Sequence, residues 1–231
     1  MKNKNNLIIA AHPDDEIIGC GGTIKKLIKQ KENVFILFLA EGVTARYEYK
    51  NIGSLKANME IEERKKNALK ANSYLGVNKK NIFFLNNFCC RMDGVPLIEL
   101  TKVIEKYISK VKPYRIFTHV YNDLNIDHKL TFEAVTIATR PKKINSFLKE
   151  ILCFEILSST NYNYIDPFKP NLFIDISNHI KAKISALSKY KKEVSISSGR
   201  DKQKIKTLAQ YRGIQSGVSF AEGFYLLRKF V

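Results

Sequence analysis

Residues 7–16 read LIIAAHPDDE. The first five form a short continuous apolar run, the pattern of a strand buried on both faces. The run stops at His12-Pro13-Asp14-Asp15-Glu16. From about residue 16 to residue 31 the chain then reads as a helix, with Ile24, Leu27 and Ile28 on one face. The alternation continues outward. Residues 33–40 (NVFILFLA) form a second buried strand, followed by a polar stretch, 41–56, that is long for a loop. Residues 59–75 read as a helix ended by Gly76, and 81–85 (NIFFL) as a third strand. An amphipathic helix over 97–111 is stopped by Pro113. A fourth strand covers 114–118 (YRIFT), and a helix 128–139. Later strands are expected at 151–156 and 172–176, and later helices at 180–190 and 202–211. This pattern predicts an α/β fold: a mostly parallel sheet with helices on both faces. Ligands in such folds sit beyond the carboxyl ends of the strands, near the switch in strand order.

The chain has 231 residues and a net charge of +17, from 39 basic and 22 acidic side chains. The length fits one large domain over 1–231, with residues from about 160 onward as a substrate-side extension. An apolar share of 45% with 26% charged residues is a globular balance and excludes wholesale disorder. No apolar run approaches the roughly 18 residues of a membrane helix, and the N-terminal run is too short for a signal-peptide core. Cys20, Cys89, Cys90 and Cys153 show no zinc-site spacing and read as reduced thiols, which places the chain in the cytoplasm. The 31 lysines far outnumber the 8 arginines and are spread along the chain. Clustered arginines and aromatic platforms are not found, which argues against a nucleic-acid partner. A positive field would still favour an anionic substrate, or hold the protein loosely at an anionic membrane surface.

Three of the four histidines lie in two short segments. His12 sits in the turn after the first strand. His119 ends the fourth strand, and the loop after it runs Asn122-Asp123-Leu124-Asn125-Ile126-Asp127-His128. Strands one and four are neighbours in a doubly wound sheet, so the two segments would meet in the crevice. His12, Asp15 and His128 make a catalytic zinc set of two imidazoles and one carboxylate, with a position left open for water. Another divalent metal would suit the same donors. Asp14, beside the ligands, is free to act as general base. Glu16 and Asp127 are candidates for holding the ligands or the helix end in place. Taken singly, each segment could instead be a helix cap, since Asp caps well and Pro suits a first turn.

The stretch IIAAHPDDEIIGCGGTI resembles the signature of the PIG-L (LmbE-like) family of zinc-dependent N-acetylglucosaminyl deacetylases. The resemblance extends to Glu41-Gly42-Val43-Thr44 with Arg46, to Arg64–Ala68, to Asp93, to Asp127-His128, to Tyr211-Arg212-Gly213 and to Ala221–Phe224. It implies a Rossmann-like fold, His12, Asp15 and His128 as zinc ligands, Asp14 as general base, and hydrolysis of an N-acyl group on an amino sugar. Many members carry a histidine three positions before the last ligand, held to stabilise the oxyanion. Here that position is Asn125. This variant resembles a subgroup associated with bacterial cell-surface polysaccharide genes.

Asn125 can donate a neutral amide hydrogen bond to an oxyanion but cannot deliver a proton. His119 would either move a proton or buttress the loop. Arg46 and Arg212 would clamp a phosphate or carboxylate of the substrate, or form salt bridges. Asp93 would orient a catalytic partner or cap the following helix. Gly19, Gly21 and Gly22 lack the dinucleotide-binding spacing and suggest close packing of helix on sheet. Three functions compete: a metal-dependent N-deacetylase acting on an N-acetyl amino sugar, a non-catalytic sugar or nucleotide-sugar binder of the same fold, and, least supported, a basic nucleic-acid binder.

Overall fold

A computed structural model describes residues 4–194 and 199–230. Five strands run parallel: β1 (Asn5–Ala10), β2 (Asn33–Ala40), β3 (Ile82–Asn87), β4 (Arg115–His119) and β5 (Glu150–Phe154). Two more, β6 (Leu172–Asp175) and β7 (Ala221–Lys229), complete a seven-stranded sheet in the order β3-β2-β1-β4-β5-β7-β6. Only β7 runs against its neighbours. The strand order reverses between β1 and β4, so the crevice opens where the two histidine segments end.

The sheet is covered on both faces because β1 and β2 alternate without polar interruption. Ile8 and Ala10 point into one core with Ile36 and Phe38; Leu7 and Ile9 point into the other with Leu37 and Leu39. The first core is roofed by α1 (Asp15–Lys29), α2 (Leu55–Leu75) and α5 (Ile180–Leu187). The second is roofed by α3 (Leu97–Val111) and α4 (Ile126–Ala138). A last helix, α6 (Lys202–Ser216), packs beside β7. Helix α1 lies tight on the sheet. A Cβ on Gly19 would run into Phe154, and one on Gly22 would stand 2.8 Å from Ile176.

Several details differ from the expectations above, among them α6, which runs on to Ser216, and α5, which ends at Leu187. Helix α2 begins four residues early, at Leu55, because Ser54 caps it by accepting from the Ala57 amide at 3.3 Å. Helix α4 begins at Ile126 rather than His128, capped by Asn125. Strand β7 had no sequence signal, because Gly223 and Glu222 interrupt its apolar residues. Among the described residues, no helix is long and apolar enough to cross a membrane.

Candidate active site

Three side chains meet at the carboxyl edge of the sheet. The turn after β1 delivers His12, the first turn of α1 delivers Asp15, and the first turn of α4 delivers His128. His12 Nδ1 lies 3.2 Å from Asp15 Oδ2 and 3.3 Å from His128 Nε2, which is itself 3.3 Å from Asp15 Oδ2. Ligands around a tetrahedral zinc at about 2.0–2.1 Å stand about 3.3 Å apart. The triangle therefore has the spacing of one face of a metal tetrahedron.

The chemistry of the donors agrees. His12 Nε2 faces Asp127 Oδ2 at 2.9 Å, and His128 Nδ1 faces Asp123 Oδ2 at 3.1 Å. A carboxylate only accepts, so each outer nitrogen carries its proton, and each inner nitrogen would present its lone pair once a metal is bound. Without a metal, a proton on the imidazole takes the place of the cation beside the buried Asp15 carboxylate. Burial alone would lower the His128 imidazole, but Asp15 and Asp123 outweigh it and lift it to about 9. Burial would raise Asp15, yet His128 leads the groups that hold it well below the usual carboxylate range. Asp15 Oδ1 is buried without a hydrogen-bond partner and is a further donor. The residues fit a metal ion.

Asp14 sits beside this triangle with a φ of 134°, a conformation that L residues avoid. Its amide donates to Glu16 Oε2 at 2.9 Å, which fixes the turn. Its Oδ2 accepts from Arg200 Nη1 and forms an ion pair with Arg64 Nη2, each at 3.1 Å, while its Oδ1 is buried and unpartnered. Glu16 supports the turn from below, accepting also from Asn72 at 2.7 Å and Tyr190 at 2.6 Å. Burial, working against these hydrogen bonds, raises Glu16 to about 7.

The family model for PIG-L, GlcNAc-PI de-N-acetylase, matches residues 7–139, more than half of the chain, including His12, Asp14, Asp15 and His128. The chain belongs to the PIG-L family. It is 29% identical over 232 residues to a diacetylchitobiose deacetylase from Thermococcus kodakarensis, covering 95% of this chain and 82% of that one. Among solved structures it resembles an N,N'-diacetylchitobiose deacetylase from Pyrococcus horikoshii bound to an inhibitor. There the TM-score is 0.76 at 24% identity, covering 98% of this chain and 85% of the other. A 4-carboxy-2-hydroxymuconate hydratase from Pseudomonas putida shares the fold as well, with a TM-score of 0.77 at 18% identity and coverage of 99% and 98%.

The remaining sequence candidates fall at different places around this PIG-L crevice. Asp127 braces His12 and also accepts from the Cys90 amide at 2.5 Å and the Met92 amide at 3.1 Å. His119 accepts the Ala11 amide on Nε2 at 2.9 Å and stacks on His128, ring centres 3.9 Å apart. Burial, then His128, holds His119 well below its ordinary value, so it is neutral. The Nε2 lone pair is thus taken by a buried amide, while Nδ1 is buried without a partner. Asn125 caps α4, its Oδ1 accepting from Asp127 N at 2.9 Å, and turns its Nδ2 toward Cys90 Sγ at 3.7 Å. Arg46 pairs with Glu193, which also pairs with Arg64. Asp93 is exposed on the turn before α3. Arg212 is buried and grips Glu155 with two bonds of 2.7 and 2.8 Å, so the structure brings it to that carboxylate and not to the donor triangle.

Sequence reasoning gave no role to Asp123, Arg64, Arg200 or Glu193. Asp123 lies in the quoted loop and takes Ser159 and Thr160 hydroxyls as well as His128. The scarcity of arginine in a lysine-rich chain was the one available signal for Arg64 and Arg200.

Proposed function

We propose that this protein is a zinc-dependent N-deacetylase that hydrolyses the N-acetyl amide of an amino sugar or its conjugate. The observation that carries the reading is the triangle of His12, Asp15 and His128 beside the unpartnered Oδ1 of Asp14. The named deacetylases among its relatives support it. His12, Asp15 and His128 would hold a divalent ion, which would lower the pKa of a water and polarise an acyl carbonyl.

The chain supplies the rest. Arg64 and Arg200 hold Asp14 Oδ2, which orients the carboxylate and leaves Oδ1 to take the proton of the attacking water. The same Asp14 oxygen then hands that proton to the leaving amine, so water and amide become acetate and a free amino sugar. Asp127 and Asp123 keep the two imidazoles in the tautomers that face inward. Asn125, already fixed by its cap, offers an Nδ2–H toward the oxyanion. Arg46 and the basic surface receive an anionic part of the substrate and Asp93 accepts a hydrogen bond from one of its neutral groups, with Arg212 shaping that side through Glu155. Residues from about 160 onward, which bring Arg200 to Asp14, form the substrate side of one domain. We place the reaction in the cytoplasm, in the making of surface polysaccharide or another glycoconjugate.

The fold also carries a hydratase, so fold alone does not select amide hydrolysis. A non-catalytic sugar binder of the same fold would have no use for a clamped carboxylate with a bare oxygen. Acetate release from N-acetyl sugars, nucleotide sugars and diacetylchitobiose separates these readings. Chelator-sensitive release of acetate and amine is expected; metal-loaded protein that releases acetate from none of them would rule the deacetylase out.

A further inference from the structure

The turn after β3 carries two adjacent thiols that the reaction above does not use. In extended backbone, neighbouring side chains point to opposite faces. Here Cys90 takes a φ of 55°, and the two Sγ atoms stand only 3.8 Å apart. Several hydrogen bonds hold the turn, one of them between the two thiols. The Cys89 amide donates to Glu41 Oε1 at 2.7 Å, the Cys89 carbonyl accepts from Arg91 Nη1 at 3.2 Å, and the Cys90 amide donates to Asp127 Oδ2 at 2.5 Å. An L residue stays in that conformation only where its surroundings impose it.

The resulting separation has a chemical match. Two sulfurs bound to one tetrahedral ion at about 2.3 Å stand about 3.8 Å apart. His12 and Asp127 lie alongside, and one ligand atom from each of His12, Cys89, Cys90 and Asp127 falls within 4.8 Å of the others. Cys89 is buried, while Cys90 is exposed and opens the group to solvent.

We infer that Cys89 and Cys90, with His12 and Asp127 as the remaining donors, form a second site, for a thiophilic divalent ion such as cadmium or excess zinc, and that filling it inhibits the enzyme. The inhibition rests on the function proposed above; the binding does not. Both thiols, and the Nε2–H of His12 that faces Asp127, release their protons to solvent when they take the ion. Thiolates favour soft ions over the imidazole and carboxylate triangle, so the two sites sort ions by softness. An ion at the dithiol draws on the 2.9 Å bond between His12 Nε2 and Asp127. That bond fixes the His12 ring with Nδ1 toward Asp15, so its loss loosens the triangle.

The test is a cadmium titration of the zinc-loaded full chain, reading the ultraviolet thiolate-to-cadmium band together with acetate release. In the wild type the band is expected to saturate at about one cadmium per chain, with activity falling in step. Both effects are expected to vanish in Cys90→Ser, a substitution at an exposed position, and in the Cys89→Ser, Cys90→Ser double variant. Cys20 and Cys153 are wholly buried in the core and silent in this assay. No band in the wild type, or a band of full strength in Cys90→Ser, overturns the site. A band with undiminished activity overturns the inhibition. A band in a protein that releases acetate from no substrate upholds the site and counts against the deacetylase reading instead.

Discussion

Two buried clusters of charge flank helix α1, and they are built differently. Midway along the helix, Cys20 leaves helical geometry with a φ of −144°. The amides of Gly22 and Thr23 turn to Glu222 of β7, at 2.9 and 2.7 Å. Lys183 of α5 donates to the Ile18 carbonyl at 2.7 Å and to Glu222 at 2.6 Å. The kink thus has identified partners, and neither Glu222 nor Lys183 leaves a buried polar atom unpaired. At the N-terminal end of the same helix, Asp14 Oδ1, Asp15 Oδ1 and His119 Nδ1 are all buried without partners. Both clusters are charged and buried. What separates a knot that holds the fold from a site that can react is whether its charged groups are satisfied; at the kink only the Thr23 hydroxyl lacks a partner.

Substitutions at the two clusters should therefore fail in different ways. The largest effect is expected at Asp14→Asn, which keeps the shape and removes the base. Turnover should fall about 100- to 10,000-fold, with zinc content unchanged by elemental analysis; full activity would remove Asp14 from the chemistry. Glu222→Ala should do the reverse, since it strands the buried ammonium of Lys183. A loss of about 3–5 kcal/mol of stability is expected in urea unfolding, with zinc still bound by the protein that remains folded. A stable Glu222→Ala protein would erase the distinction between the clusters.

Asn125→Asp sharpens the boundary between support and reaction. Aspartate caps a helix as well as asparagine, so the melting temperature should hold. The donor is lost, and turnover should fall by roughly 100-fold. Unchanged turnover would leave Asn125 a cap and nothing more. The smallest effect is expected at Asp123→Ala, which frees the outer nitrogen of His128. Zinc affinity should weaken by about 10- to 100-fold in competition with a chelator, and an unaltered affinity would show that Ser159 and Thr160, not His128, are the reason Asp123 is buried there.

Much of this arrangement was legible in the chain. Residues 7–11 and 34–40 carry no polar side chain on either face, which only a sheet covered twice can accommodate, and that pattern predicts β1 and β2. His12, Asp15 and His128 were legible because strand ends and helix starts are where this architecture puts chemistry. Other parts were hidden for physical reasons. Strand β7 is held by β5 and β6 on either side, so long-range pairing stabilises a segment with weak local preference. The α1 kink shows only as glycines until Glu222, some two hundred residues away, supplies the acceptor. Arg200 reaches Asp14 across 186 residues, a link that no local pattern encodes. Arg212 read two ways, as a substrate clamp or a salt bridge, because its partner Glu155 lies 57 residues away in the chain.

The most direct check on the donor triangle is the zinc content of wild type and His128→Ala, purified in parallel and passed through gel filtration to remove loose ions. His128 belongs to the triangle but not to the dithiol group, so its loss isolates the first site. About one zinc per chain is expected in the wild type and far less in the variant, with both folded by circular dichroism. Equal zinc in the two proteins would contradict the assignment of His12, Asp15 and His128 as the metal-binding face.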